Sequence, residues 1–319
     1  MPQSDVPGER TSATQPHPTK PPAYNRNYFN VPDDLIDFTP ELRAQALEVL
    51  KRYKWAPTPF NPAILGDVNG LLGAIGPPTA TNWPGGAYDP ETHVLYAPAG
   101  NTPSVRSLVA SPSGYSDIRY SQGVAGRPFT IVWGPGDCCA ADSGMRTRAD
   151  LPQPYVSGAG RTAANVPGGE GGGLNVQGLP IVKPPYGLLA AINLDRGEIL
   201  WEVQHGDTPD NIRNHPALKG MSIPKTGQPG TSGVGMVVTK TLVIMGDAQT
   251  TLPPGRPPGA MLRAYDKATG REVGAVWMPA PQSGTPMTYM VDGKQYIVVA
   301  VSGGNYSGEY LAFRLPNGG

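Results

Sequence analysis

The chain has 319 residues, with 25 basic and 25 acidic side chains and zero net charge, so it carries no polyanion-binding character and no nucleic-acid partner is expected. Glycine (42) and proline (38) approach the level of loop-rich chains. The 39% hydrophobic content, with five Trp and fourteen Tyr, excludes global disorder and favours an all-β protein with many turns.

No apolar run approaches the roughly 18 residues of a membrane span. The first residues, MPQSDVPGERTSATQPHPTKPP, hold no apolar core of the signal-peptide kind, and the His residues show no metal-ligand spacing. Residues 1–38 are polar and Pro-rich, which predicts an extended segment lying on a surface rather than in a core. Residues 39–54 predict one short surface helix. Thr39 suits the N-cap, Pro40 the first helical position and Glu41 the first turn. Leu42, Ala46, Val49, Leu50 and Tyr53 share one face, and Lys51, Arg52 and Lys54 suit the C-terminal end. Such a stripe faces a core more often than a partner.

Residues 81–98 are the stretch around which the chain is organised. Thr81-Asn82-Trp83-Pro84-Gly85-Gly86 leads into Ala87-Tyr88-Asp89, and an Asp-Pro-Glu-Thr turn leads on to Val94-Leu95-Tyr96. Here aromatic and amide side chains sit beside glycines that let the backbone approach a flat ligand. The pattern weakens over 99–175, a long Gly/Pro-rich insertion in which only residues 129–133 read firmly as a strand. The insertion is either a substrate or lid loop or poorly ordered surface. Its adjacent Cys138 and Cys139 either close a strained ring in an oxidising compartment or stay as two reduced thiols. The run Gly168-Gly169-Glu170-Gly171-Gly172-Gly173 is not a phosphate loop, since no Lys-Ser/Thr follows it.

From residue 184 strands and turns alternate. Tyr186-Gly187-Leu188-Leu189-Ala190-Ala191-Ile192-Asn193 turns at Leu194-Asp195-Arg196-Gly197 into Glu198-Ile199-Leu200-Trp201-Glu202-Val203. The grammar recurs in Met261-Leu262-Arg263-Ala264-Tyr265-Asp266, with a Thr269-Gly270 turn. Hairpins are expected around Thr239-Lys240 and around Asp292-Gly293, the latter a strong hairpin signal. Repeated four-strand units with such turns are the sequence form of propeller blades, each of which stacks on its neighbours. The count is three full blades at most, plus partial pieces.

Taken together, these residues resemble the quinoprotein dehydrogenases that use pyrroloquinoline quinone. The resemblance rests on Asn82-Trp83 followed by Gly85-Gly86 and Tyr88-Asp89-Pro90, on Pro184-Pro185-Tyr186-Gly187, on Gly197-Glu198-Ile199-Leu200-Trp201 and on residues 261–266. Thr285-Pro286-Met287-Thr288-Tyr289 and Asp292-Gly293-Lys294-Gln295-Tyr296 place it near the glucose-dehydrogenase-like branch. The resemblance implies part of an eight-bladed all-β propeller, three to four blades of it over residues 55–319. It implies an axial quinone cofactor with bound calcium, a sugar or alcohol substrate, and a membrane quinone or cytochrome as electron acceptor.

By the same resemblance Asn82 and Trp83 lie against the quinone, and Ser232 and Gly233 line the same axial site. On the residues alone, Trp83 also reads as an ordinary blade-packing Trp, and Ser232 and Gly233 as a turn before a strand. The family's catalytic Asp, its metal ligands and its quinone-pairing cation fall upstream of the Asn-Trp motif, so no catalytic residue and no metal ligand is assigned here. The chain is therefore expected to be inactive alone, with Met1 marking a truncated or split gene. It is expected to self-associate or to be completed in trans by a separate N-terminal half. A non-catalytic propeller scaffold is the alternative. The resemblance implies the periplasm, although the chain shows no export signal.

Overall fold

The computed structural model describes residues 1–110 apart from 32, 67–69 and 79, residues 119–122, 132–133 and 156–157, and residues 174–314 apart from 253, 254, 304 and 305. The paired cysteines, the Gly168–Gly173 run and residues 129–131 lie outside the described residues. Val132–Trp133 does form a strand, paired in parallel with Val156–Ser157.

The Asp-Pro-Glu-Thr turn folds as its chemistry dictates. The Asp89 carboxylate accepts from the Glu91 N–H (3.1 Å) and the Thr92 hydroxyl (2.6 Å), and His93 takes a left-handed φ of 51°. This turn joins β1 (Ala87–Asp89) to β2 (Val94–Gly100). β2 then pairs not with its chain neighbour but with β3 (Gly187–Asn193), which turns into β4 (Glu198–Gln204). The hairpin at 81–98 and the hairpin at 186–203 are thus two halves of one antiparallel sheet, ordered β4-β3-β2-β1, with residues 101–186 inserted between its middle strands. β3 is buried at every position because packed material covers both of its faces.

The second sheet is ordered β5 (Met236–Val238), β6 (Leu242–Gly246), β7 (Ala260–Asp266), β8 (Glu272–Met278). The third is β9 (Met287–Val291), β10 (Lys294–Gly303), β11 (Tyr306–Arg314). Asp292 and Gly293 both take positive φ (48° and 71°) in the two-residue turn between β9 and β10, the twist that a tight hairpin requires.

The sheets stack face to face. Val94, Tyr96, Leu189 and Ala191 of the first bury against Met236, Val243, Met245 and Tyr265 of the second. Ile244, Leu262 and Met278 of the second bury against Val299 and Val301 of the third. Successive antiparallel sheets packed in this way are propeller blades, here two of four strands and one of three, so the described residues form part of a ring.

A further core lies beside the first sheet. The helix runs Pro40–Leu50, with the Thr39 hydroxyl accepting from the Leu42 N–H at 3.2 Å, and it buries Leu42, Ala46 and Leu50. It stops before the expected 54 because Tyr53–Lys54 is drawn out to pair in parallel with Gly73 and Ala74. A second helix, Asp210–Arg213, also forms, too short to leave a periodic signal. The expectation that residues 1–38 avoid a core fails at their C-terminal end. Phe29, Leu35 and Ile36 are fully buried against Leu42, Leu179 and Ile181. Burial of that end is driven by pairing: the Ile36 N–H donates to the Ile181 carbonyl (2.8 Å) and the Lys183 N–H to the Asp34 carbonyl (2.9 Å). Arg26 adds hydrogen bonds to the carbonyls of Lys183 (2.7 Å) and Pro184 (3.0 Å).

Candidate functional site

The lead-ins to the first strands of the three sheets, β1, β5 and β9, are tied together. The Asn82 N–H donates to the Ser232 carbonyl at 3.0 Å, joining the first sheet to the second. The Gln282 side chain joins the second to the third. Its Nε2 donates to the Gly235 carbonyl (2.7 Å), and its Oε1 accepts from the Gly246 N–H (2.7 Å).

The structure brings the four sequence candidates together. Asn82 opens a tight turn: its carbonyl accepts from the Gly85 N–H (2.8 Å) and its Oδ1 from the Trp83 N–H (2.9 Å). Gly86 then passes so close to the Tyr96 carbonyl that any side chain would collide. Trp83, at the tip, is 97% exposed, so it is not a blade-packing Trp. Ser232 and Gly233 sit in a 3-10 turn, Thr231–Gly233, just before β5. Ser232 is buried, whereas a Cβ at Gly233 would meet open space.

Sequence reasoning missed what holds the second lead-in. The Thr231 hydroxyl donates to the Gln228 carbonyl (2.7 Å), and the Gln228 N–H donates to the carbonyl of buried His205 (2.9 Å). The His205 ring lies between the Tyr265 hydroxyl (2.9 Å from Nδ1) and the Gly246 carbonyl (3.0 Å from Nε2). A carbonyl only accepts, so Nε2 carries the proton and Nδ1 accepts from Tyr265. Burial pushes the His205 pKa down to about 4, against the opposing pull of Asp247. Beside it Asp247 takes two hydrogen bonds from Arg263, at 2.6 and 3.0 Å. Arg263 also reaches Asp207 (2.9 Å) and Glu272 (2.9 Å). Burial alone would lower the Arg263 pKa, but the three carboxylates outweigh it and hold the guanidinium charged. The available sequence signal was a polar residue beside a Gly at each strand end: His205-Gly206 after β4, and Gly246-Asp247 closing β6.

An exposed indole, an amide whose Oδ1 is already engaged, and a glycine with open space beside it fit a flat, polar-edged ligand such as a tricyclic quinone. Among the described residues no group of three or more His, Cys, Asp or Glu is placed to hold a metal ion.

Comparison with known proteins agrees with the fold and the motifs. The family "Glucose/ethanol/alcohol dehydrogenase, beta-propeller domain", a PQQ family, matches residues 1–297, and the chain belongs to it. The quinoprotein glucose dehydrogenase A of Acinetobacter calcoaceticus is 30% identical over 149 residues, covering 45% of this chain and 17% of that protein. The quinoprotein glucose dehydrogenase of Gluconobacter oxydans is 26% identical over 335 aligned residues, covering 99% of this chain and 35% of that protein. The chain therefore spans about a third or less of the length of these relatives. Among solved structures, the quinohemoprotein alcohol dehydrogenase of Comamonas testosteroni matches with a TM-score of 0.36 and 22% identity, over 70% of this chain and 22% of that one.

Proposed function

We propose that this chain supplies one side of a pyrroloquinoline quinone pocket in a quinoprotein dehydrogenase that oxidises a sugar or an alcohol. The observation that carries the proposal is Trp83, which is 97% exposed beside Asn82 and within one hydrogen bond of the Ser232–Gly233 turn. An indole left in water at a junction between two sheets is positioned to stack on a planar ligand. Because the Asn82 Oδ1 is engaged by the Trp83 N–H, what Asn82 offers that ligand is its Nδ2 donor, suited to a quinone oxygen. Gly233 lets the ligand approach the backbone. When bound, the quinone supplies a two-electron acceptor that no side chain provides.

This chain's own residues bind and orient the ring and exclude water from one of its faces. Proton abstraction and calcium binding belong, in this proposal, to residues elsewhere in the complete ring. Electrons leave to a membrane quinone or a cytochrome, and the setting is periplasmic, in keeping with the family resemblance. Further blades, from this polypeptide or from another, complete the ring. The outer face of the third sheet supports that reading, since Met287 (52%) and Tyr310 (81%) stand exposed on it.

The test uses the purified chain with added quinone and calcium. Quinone binding without sugar- or alcohol-dependent dye reduction is expected; brisk turnover by the chain alone would overturn this division of labour.

A further inference from the structure

The lead-ins of β5 and β9 share a Ser, a Gly and a Met at the same offsets. Ser232 and Ser283 stand four residues before their strands, Gly233 and Gly284 three before, and Met236 and Met287 open the strands. In the first sheet Trp83 holds the same offset from Ala87. One position further back, Thr231 and Gln282 are both buried and both anchor their turns, Thr231 on the Gln228 carbonyl and Gln282 on the Gly235 carbonyl. Thr285 packs against Gly235 so closely that no side chain would fit there. The third lead-in is thus seated on the second, as the Asn82–Ser232 bond seats the first on the second.

We infer that the Ser283-Gly284 turn is a third element of the same ligand site, reaching the carboxylate-bearing rim of the quinone with the Ser283 hydroxyl. This inference rests on the proposed quinone pocket and deepens it. Three observations carry it: the matched offset, the exposure of Ser283, and the two buried amide bonds that hold Gln282 to the second sheet. The Ser283 backbone is held, its N–H donating to the Ala300 carbonyl at 2.9 Å, while the residue itself is exposed. A carboxylate-bearing ligand accepts from a hydroxyl and is repelled by a second carboxylate.

The experiment is a titration of the full chain with pyrroloquinoline quinone, followed by isothermal titration calorimetry, for the unaltered chain and for Ser283→Ala, Ser283→Asp, Ser283→Thr and Trp83→Ala. Loss of one hydrogen bond should raise Kd roughly three- to tenfold in Ser283→Ala. Ser283→Asp should bind more weakly still, and Ser283→Thr, which keeps the hydroxyl, should bind like the unaltered chain. Melting temperatures should stay together, because Ser283 is exposed. If all three Ser283 variants bind like the unaltered chain while Trp83→Ala loses the quinone, this inference is wrong and the pocket stands. If the unaltered chain binds no quinone, both fall.

Discussion

Trp201 lays its indole on the backbone of Gly270, and its Nε1–H donates to the Lys267 carbonyl 3.1 Å away. The Tyr96 hydroxyl donates to the same carbonyl at 3.1 Å, and the Lys267 ammonium reaches the Asp89 carboxylate at 2.7 Å. One turn of the second sheet is therefore held by three side chains of the first. Gly270 takes a φ of +72°, and a Cβ there would lie 2.6 Å from the Trp201 ring. Gly270→Ala should cost about 2–4 kcal/mol, from the unfavourable φ and the overpacking together. Trp201→Ala should also destabilise. The double variant should lose clearly less than the two losses combined, since both remove one joint. Urea unfolding of the four proteins measures this.

His205 sets a pH dependence. Its folded pKa, pushed down to about 4, lies below the ordinary histidine value of 6.5, so the unfolded chain binds the extra proton first. The contribution is intact above pH 6.5 and is lost progressively as pH falls towards 4, by an amount on the order of 3 kcal/mol. His205→Gln, which keeps a donor for the Gly246 carbonyl, should start less stable at pH 7 and show a flatter decline between pH 6.5 and 4. Melting temperatures across that range make the comparison.

Arg263 and Asp247 are both almost wholly buried, with side-chain exposures of 4% and 0%. Arg263→Met strands the Asp247 carboxylate and should cost about 3–5 kcal/mol. Adding Asp247→Asn removes the stranded charge and should restore part of that loss. A double variant no more stable than Arg263→Met alone would show that the pair is not the unit it forms in the structure.

Gly233→Val probes the candidate pocket without disturbing the fold. No atom lies within 4 Å of a Cβ placed there, so the melting temperature should hold within about 2 °C. The added side chain fills the space through which a flat ligand approaches, so quinone binding should weaken at least tenfold. Circular dichroism together with fluorescence titration separates the two effects.

The blade strands were legible because their chemistry is local. Asp292-Gly293 declares its hairpin, and the turn at 194–197 between two apolar runs declares another. That β2 pairs with β3 across residues 101–186 was not legible, since nothing in either strand encodes so distant a partner. The burial of Leu35 and Ile36 was hidden for a similar reason: a Pro-rich segment looks solvated until its partners at 181–183 are known. Within the candidate site, Asn82, Trp83, Ser232 and Gly233 were readable from their motifs. Their supports, His205 and Gln282, were not, because a lone buried polar residue has no periodic signature.

The measurement that bears most directly on the central claim is a calorimetric titration of the purified chain with pyrroloquinoline quinone, alongside Asn82→Ala and Trp83→Ala. Both substituted residues are exposed, so both variants should fold as the unaltered chain does. Saturable binding by the unaltered chain, weaker binding in Asn82→Ala and loss of binding in Trp83→Ala are expected. Equal affinity in all three proteins, or no binding by the unaltered chain, would contradict this function.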